Sequence, residues 1–380
     1  MSLTIFPDCT GQCARRLAAA TALALIWMVP ATAHAAPHTW PTSDAAERGW
    51  DTDRLDALVG AIRKDDFKQI TSVVVAHDGR IVFEHYANGA GPDTRHDVRS
   101  ASKTVTSMLV GAAIDRGLID GVQAKALSFF SERPPEANAD PRKDAMTLED
   151  LLTMSSRLEC NDDNSFSSGN EERMYVTEDW IGFVLDLPIK GYAPWDLKPE
   201  DSPYGRSFAY CTAGSFLLGA IVEQVTQDTL GAFAAEVLFD PLGMSDVTWP
   251  ISPLGVYQGG GGLRVRSRDL LRLGELARLG GRWQGKQLLS RDYLATATRA
   301  HVGARDGVTY GYQWWRFAFD EDSDDRAHIA MSGNGGNYVF VHAPSKLVTV
   351  ITATAYGQRY MHPQSQRIYT DYVLKAHPDR

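Results

Sequence analysis

The chain has 380 residues, of which 44% are hydrophobic and 22% charged, and its formal net charge is −9. A chain of this length and composition can bury a large core, in one large domain or in two interleaved ones. Its basic residues are scattered singly, which excludes the cationic patch that a nucleic-acid partner requires; a globular enzyme with a small-molecule substrate is the expected class.

The first 35 residues have the pattern of a secretory signal peptide. Arg15 and Arg16 precede the apolar run LAAATALALIWMVP, and Ala33-His34-Ala35 follows as a cleavage signal. A membrane anchor is the alternative, but the run is short and contains a proline, whereas a spanning helix needs roughly 20 apolar residues. We therefore expect a signal peptide over 1–35, a spacer over 36–50, and a periplasmic or extracellular protein without a stable membrane anchor after cleavage.

Two cysteines, Cys160 and Cys211, remain after cleavage, in a compartment that permits disulfides. They form either one bridge or two buried thiols, and the sequence leaves both open. The sequence has no CxxC, HxxH or HExxH pattern, and its ten histidines are dispersed, so we expect no metal. The glycine run at 259–262 lacks the residues of a phosphate-binding loop, so no nucleotide cofactor is expected either.

The predicted elements differ between the ends and the middle of the chain. DTDRLDALVGAIRKD predicts a helix that begins at Asp51 or Asp53, and ITSVVVAHDGRIVFEHYANG predicts a hairpin that turns at Asp78-Gly79. Helical patterns prevail from about 105 to 240. NYVFVHAPSKLVTVITATA then predicts a second hairpin, turning at Pro344-Ser345, and IYTDYVLKAH a closing helix.

The arrangement of these elements predicts an α/β (α+β) fold. The simplest way to satisfy the strand edges is one antiparallel sheet that contains both hairpins and is flanked by the terminal helices. We expect the mixed sheet domain to comprise 51–104 and 250–380, and an inserted all-helical domain to comprise 105–249.

Ser100 and Lys103 are the candidate catalytic pair. They lie three residues apart at the start of the helical pattern TVTSMLVGAAIDRG, so their side chains share one face while that of Ser102 points elsewhere. Unpaired N–H groups at a helix start can stabilise an oxyanion, and a desolvated lysine can accept the serine proton. By itself SxxK is common, and the alternative is a capping serine beside a solvated lysine.

Further candidates come from later segments. Tyr210 precedes the helical pattern TAGSFLLGAIVEQ, and a phenol beside the lysine is expected to have a lowered pKa and to relay the proton. The glycine-rich segment SGNGGNYVFV leads into a strand, and backbone without side chains can come close to a substrate there. We expect the Asn337 N–H, with Gly336 and Asn334 nearby, to stabilise the oxyanion. Trp314 and Trp315, with Tyr192 and Trp195, are either core residues or the lining of an acyl pocket.

Several motifs in order resemble the serine β-lactamase and penicillin-binding-protein superfamily, in particular the class C-like hydrolases that include esterases and 6-aminohexanoate-dimer hydrolase. The matching segments are RSASK, TLEDLLTMSS, YCTAG, GGGGLRVRSRDLLRLGELARLGGRWQGKQLLS, YGYQWW and SGNGGNYVFV. The resemblance implies a β-lactamase-like fold with a cleft between the two domains, Ser100 as the acylated nucleophile, Lys103 as its base and Tyr210 as the tyrosine of the Tyr-x-Asn element.

The sequence departs from the family pattern at two places. Thr212 stands where the family often has asparagine, and Asn334-Gly335-Gly336 lies near where the family has Lys-Thr-Gly or His-Thr-Gly. Because that cation helps to hold a substrate carboxylate, its absence favours an ester or small amide without one. We expect a secreted hydrolase that forms a Ser100 acyl-enzyme; the alternatives are a β-lactamase or D,D-peptidase, and a catalytically silent penicillin-binding-like module.

Overall fold

The computed structural model describes residues 40–319 and 327–379. The predicted signal peptide therefore lies outside the described residues and stays a prediction. Among the helices in these ranges, none combines the length and the apolar character that crossing a bilayer would require.

Twelve strands are present in the described ranges, and eight of them form one antiparallel sheet in the order β2-β1-β12-β11-β10-β9-β8-β7. The strands are β1 Ile70–His77, β2 Arg80–Tyr86, β3 Arg95–Asp97, β4 Arg264–Arg266, β5 Arg282–Trp283, β6 Lys286–Gln287, β7 Val302–Arg305, β8 Val308–Tyr310, β9 Trp315–Phe317, β10 His328–Gly333, β11 Asn337–His342 and β12 Leu347–Ala353. The pairs β3-β4 and β5-β6 lie outside this sheet.

Both predicted hairpins are confirmed, and they are neighbours in the sheet because β1 pairs with β12. At the first turn Asp78 and Gly79 have φ of 50° and 73°. These left-handed values are typical of the two-residue turn whose twist matches that of the strands, and Asp-Gly accepts them at little cost.

The helices are α1 Thr52–Arg63, α2 Ser102–Asp115, α3 Pro141–Asp144, α4 Leu148–Leu152, α5 Glu171–Tyr175, α6 Trp180–Leu185, α7 Thr212–Thr226, α8 Leu230–Ala234, α9 Asp240–Leu242, α10 Ser267–Arg278, α11 Arg291–Ala297 and α12 Met361–Arg367. Asp51 caps α1 by accepting the N–H of Arg54. The closing helix begins before the predicted segment and continues from α12 into a π-helix at Ile368–Leu374.

Apolar side chains cover both faces of the large sheet. Val73 and Val75 of β1 pack with α1 and the closing helix, whereas Val74 and Ala76 belong to a second cluster that includes α2, α7 and α10. This division follows from the alternation of side chains along a strand. Helices α3 to α9 occupy the chain between α2 and β4, and α7 packs directly against α2.

Candidate active site

The structure brings Ser100 and Lys103 together. Ser100 lies in a short 3₁₀ helix at Arg99–Ala101 that leads directly into α2, and Lys103 is in the first turn of α2. The Lys103 Nζ and Ser100 Oγ atoms are 2.9 Å apart. The Ser102 hydroxyl instead donates to the Arg99 carbonyl and accepts from the Leu263 N–H, so it points away from the pair.

The Lys103 side chain is almost completely buried, with 1% of its surface exposed. Its Nζ also lies 2.9 Å from Thr212 Oγ1 and 2.5 Å from the Gly260 carbonyl oxygen. Burial lowers the pKa of the Lys103 ammonium below its usual range, and the negative charges of Glu171 and Asp162 oppose that shift. An amine in this position keeps its N–H bond to the Gly260 carbonyl and can still present a lone pair to the serine hydroxyl.

Tyr210 precedes α7, and the centroid of its ring lies 5.0 Å from Lys103 Nζ. Tyr210 and Ser100 line the same cavity, and the serine hydroxyl acts to lower the pKa of the phenol. The expectation of a lowered phenol pKa is wrong: burial raises the pKa of Tyr210 above its ordinary value, since the ring stacks on Trp315 and packs near Phe208. Tyr210 is therefore a neutral proton donor in the free protein.

Two cavities meet at Ser100. The first has a volume of about 360 Å³, and the second about 270 Å³. Carboxylates outnumber guanidinium groups in both. The charged residues are Asp97, Glu171, Glu172 and Arg99 in the first cavity, and Asp162, Asp163, Glu171 and Arg305 in the second. This excess of negative charge disfavours anionic substrates.

Asn334, from the predicted glycine-rich segment, lines both cavities together with Ser100. Gly333 makes this approach possible, because a Cβ there would lie 2.0 Å from the Val98 carbonyl oxygen. Asn337 and Gly336 do not line either cavity. Asn337 is buried on β11, where it pairs with Gly333, and its side-chain amide donates to the Asn334 carbonyl. The structure thus places Asn334, not Asn337, beside the nucleophile.

The aromatic candidates lie in different surroundings. Trp314 is completely buried in the core, whereas Trp315 lines the second cavity and stacks on Tyr210 with the ring centroids 5.8 Å apart. Trp195 is 85% exposed and, like Tyr192, lines neither cavity with Ser100. Thr212 holds Lys103 through its hydroxyl.

Cys160 and Cys211 form a disulfide, which decides between the two alternatives that the sequence left open. Sequence reasoning missed Asp162, two residues after the first of these cysteines. Its carboxylate accepts the N–H groups of Thr212 and Glu171. The spacing to Cys160 was the available signal, since a bridge to Cys211 brings the residues around each cysteine together.

The structure also brings together two of the dispersed histidines. One ligand atom each from His77, His377 and Asp379 lies within 4.8 Å of the others. These residues do not line the cavities at Ser100. The His77 ring accepts from the Trp50 indole, and the two ring nitrogens of His377 contact the Ser345 carbonyl and the Asp379 N–H.

Comparisons with known proteins give one consistent result. The sequence model of the family described as Beta-lactamase matches residues 62–368. A 6-aminohexanoate-dimer hydrolase from Paenarthrobacter ureafaciens is 27% identical over 281 residues, which covers 69% of each chain. The mixed fold with its antiparallel sheet, predicted from the sequence, is also found among the solved structures below.

Solved structures of other proteins share this fold. A penicillin-binding-protein homolog from Caulobacter crescentus has a TM-score of 0.63 at 18% identity, over 85% of this chain and 98% of that chain. A class C β-lactamase from Rhodobacter sphaeroides has a TM-score of 0.59 at 16% identity, over 85% of this chain and 100% of that chain.

Proposed function

This chain belongs to the Beta-lactamase family of serine hydrolases, and from that premise we propose that it cleaves carboxylic esters or small amides through an acyl-enzyme at Ser100. The observation that carries the proposal is the contact of a half-buried serine hydroxyl with a buried lysine amine, 2.9 Å apart, beside a cavity.

In the proposed acylation step, Ser100 Oγ attacks the substrate carbonyl carbon while its proton passes to Lys103 Nζ. The backbone N–H groups of Ser100 and Asn334 stabilise the oxyanion. The neutral Tyr210 phenol then protonates the departing alkoxide or amine and takes the proton from Lys103 in return. The bond to the leaving group breaks as the serine ester forms. Water then attacks this ester, with the same groups returning the proton to Ser100.

The charges in the cleft support a substrate without a carboxylate near the reacting carbonyl. Asn334-Gly335-Gly336 lies near the place where the family has a lysine or histidine, and the uncharged Asn334 lines both cavities at Ser100. Glu171 and Asp162 add negative charge close to Ser100. Neutral esters, or amides that carry an ammonium group, suit this field better than anionic substrates. The hydrolase relative is named for an aminohexanoate amide, which fits this class.

We also propose that the protein is exported, with residues 1–35 removed as a signal peptide. The support is the sequence pattern of two arginines, an apolar run and small residues. N-terminal sequencing of the protein recovered from the periplasm or the medium tests this, and an intact N-terminus on protein retained in the cytoplasm would contradict it.

A fluorophosphonate probe followed by intact-mass measurement tests the catalytic proposal. We expect one adduct on the wild type and none on Ser100→Ala. Ser332→Ala is the matched control, because Ser332 lines the second cavity and lacks a lysine contact; this variant should keep the adduct. An adduct that survives in Ser100→Ala, or its absence from the wild type, refutes the proposal. An ester-derived adduct that never hydrolyses would identify a catalytically silent module.

The second candidate is a β-lactamase or D,D-peptidase. Arg305 favours it, because its guanidinium lines the cavity that also holds Ser100 and can pair with a substrate carboxylate. Nitrocefin turnover compared with hydrolysis of p-nitrophenyl esters separates the two candidates. We expect the esters to be the better substrates.

A further inference from the structure

The segment Tyr210–Thr212 carries two groups of the site and lies at the start of α7. The hydroxyl of Thr212 contacts Lys103, and the phenol of Tyr210 contacts Ser100. Cys211 is the N-cap residue of α7, and its sulfur accepts from the Gly214 N–H. Sulfur is a weak acceptor, so the start of this helix needs another partner to fix it.

The loop that begins at Cys160 supplies that partner. Residues 160–171, which we call the clamp loop, are joined to this segment by the Cys160–Cys211 disulfide. Asp162 of the clamp loop makes two hydrogen bonds to this segment. Its N–H donates to the Tyr210 carbonyl at 2.8 Å, and its Oδ2 accepts the Thr212 N–H at 2.7 Å. One covalent bond and two hydrogen bonds thus hold three consecutive residues.

The second carboxylate oxygen of Asp162 fixes the clamp loop itself. Oδ1 accepts the N–H of Glu171 at 2.9 Å, at the start of α5. The Asn170 side-chain amide donates to the Asp162 carbonyl at 3.1 Å. The carboxylate therefore sits between two helix starts, where partial positive charge stabilises an anion. Each oxygen has a fixed donor, so a rotation of the side chain would break both contacts.

We propose that Asp162, together with the Cys160–Cys211 disulfide, is a positioning device for acyl transfer that holds Tyr210 and Thr212 against Ser100 and Lys103. This inference rests on the proposed function. Thr212 provides one of three partners of Lys103 Nζ, so a shift of the segment moves the amine and the phenol together. Misplacement of reacting groups by about 1 Å costs on the order of 10²-fold in rate.

Asp162→Asn tests the proposal, with Asp65→Asn as its control. The control makes the same chemical change at an exposed aspartate that lines neither cavity at Ser100. An asparagine side chain at position 162 has one acceptor oxygen, whereas the N–H groups of Thr212 and Glu171 each require one. We expect the rate of fluorophosphonate labelling and kcat to fall about ten- to hundred-fold in Asp162→Asn, with KM changed much less, and to fall less than about threefold in Asp65→Asn.

The pH dependence of kcat is a second measurement, and a purely structural role of Asp162 would leave it unchanged. Burial raises the pKa of Asp162 to about 6, although the nearby Lys103 opposes this shift. Lys103 and Tyr210 face the carboxylate from α2 and the segment before α7, and Glu171 and Asp163 lie on the clamp loop. As pH falls through about 6 the carboxylate gains a proton and loses an acceptor, so wild-type kcat should fall there. In Asp162→Asn that component should be absent.

Reduction of the disulfide provides a second arm, in case Asp162→Asn does not fold. Dithiothreitol followed by iodoacetamide, with peptide mapping of Cys160 and Cys211, should give an enzyme that labels at least about tenfold more slowly; reoxidation without alkylation should restore the rate. Labelling within twofold of wild type in both the reduced enzyme and folded Asp162→Asn overturns the positioning role alone. No labelling of the wild type overturns the proposed function, and the positioning role with it.

Discussion

Lys103 has three hydrogen-bonding neighbours, and their chemistry limits its protonation state during acylation. The Gly260 carbonyl can only accept, so one N–H bond always points there. Thr212 Oγ1 can accept a second, which leaves the lone pair of a neutral amine for the Ser100 proton. The lowered pKa of this buried group makes the neutral form accessible.

Substitution of Lys103 separates general-base assistance from a mere requirement for positive charge. We expect Lys103→Ala to lower the single-turnover acylation rate by ~10²–10⁴-fold. Lys103→Arg is the informative companion, because a guanidinium keeps the charge but cannot accept the proton. It should be as slow as the alanine variant. Retention of more than about a tenth of wild-type rate in Lys103→Arg would assign the lysine an electrostatic role instead.

At the scale of residues, spacing along one helix sufficed to predict that Ser100 and Lys103 meet. Spacing could not tell whether Trp314 or Trp315 faces the cleft, since that depends on which face of the strand is buried. The protonation of Tyr210 depends on rings from other segments, and its pKa was therefore predicted with the wrong sign. Asp162 acts on backbone N–H groups far away in sequence, for which no side-chain motif exists.

At the scale of elements, α10 packs closely on the sheet at Gly274, where a larger residue would be crowded. A Cβ at Gly274 would lie 2.6 Å from Val348 Cγ1 and 2.7 Å from Val339 Cγ1. Gly274→Ala should therefore lower the free energy of unfolding by about 1–3 kcal/mol through overpacking. A Cβ at Gly60 in α1 would meet no atom within 4 Å beyond the backbone of its own helix. Gly60→Ala should raise stability by about 0.4–1 kcal/mol.

Urea denaturation of the two glycine variants measures both effects with the same chemical change. If both substitutions changed the free energy of unfolding equally, helix propensity, and not the contact with β11 and β12, would determine the effect of Gly274→Ala. The kcat of Gly60→Ala serves as a check, since α1 contributes nothing to the cavities at Ser100.

The predictability of an element from the sequence depends on its length and its turn. Hairpin β1-β2 and hairpin β11-β12 combine β-branched runs with a turn signal, and both were predicted. Strands β7, β8 and β9 have four, three and three residues. An alternating pattern over so few residues is indistinguishable from a loop. These strands form by successive pairing, because β9 pairs with the edge of β10, β8 pairs with β9 and β7 pairs with β8.

At the scale of the whole molecule, the large sheet separates two apolar clusters with different roles. One lies under α1 and the closing helix, and the other contains α2, α7 and the residues that support Ser100. The first cluster joins the two ends of the described chain, because β1 pairs with β12. The need to satisfy strand edges predicted that both hairpins share one sheet, but not that β1 pairs with β12. The extent of each cluster depends on the positions of all the helices.

This separation predicts that stability and catalysis can be changed independently. Leu58 in α1 and Leu109 in α2 are both fully buried, on opposite sides of the sheet. Leu58→Ala and Leu109→Ala should each lower the free energy of unfolding by about 2–5 kcal/mol. Below the unfolding transition, kcat should stay within about twofold of wild type in Leu58→Ala and fall further in Leu109→Ala, because the cavity left in α2 lets the helix that carries Lys103 relax. Equal losses of kcat in the two variants would mean that the sheet transmits packing defects to the site, and that the molecule responds as one unit.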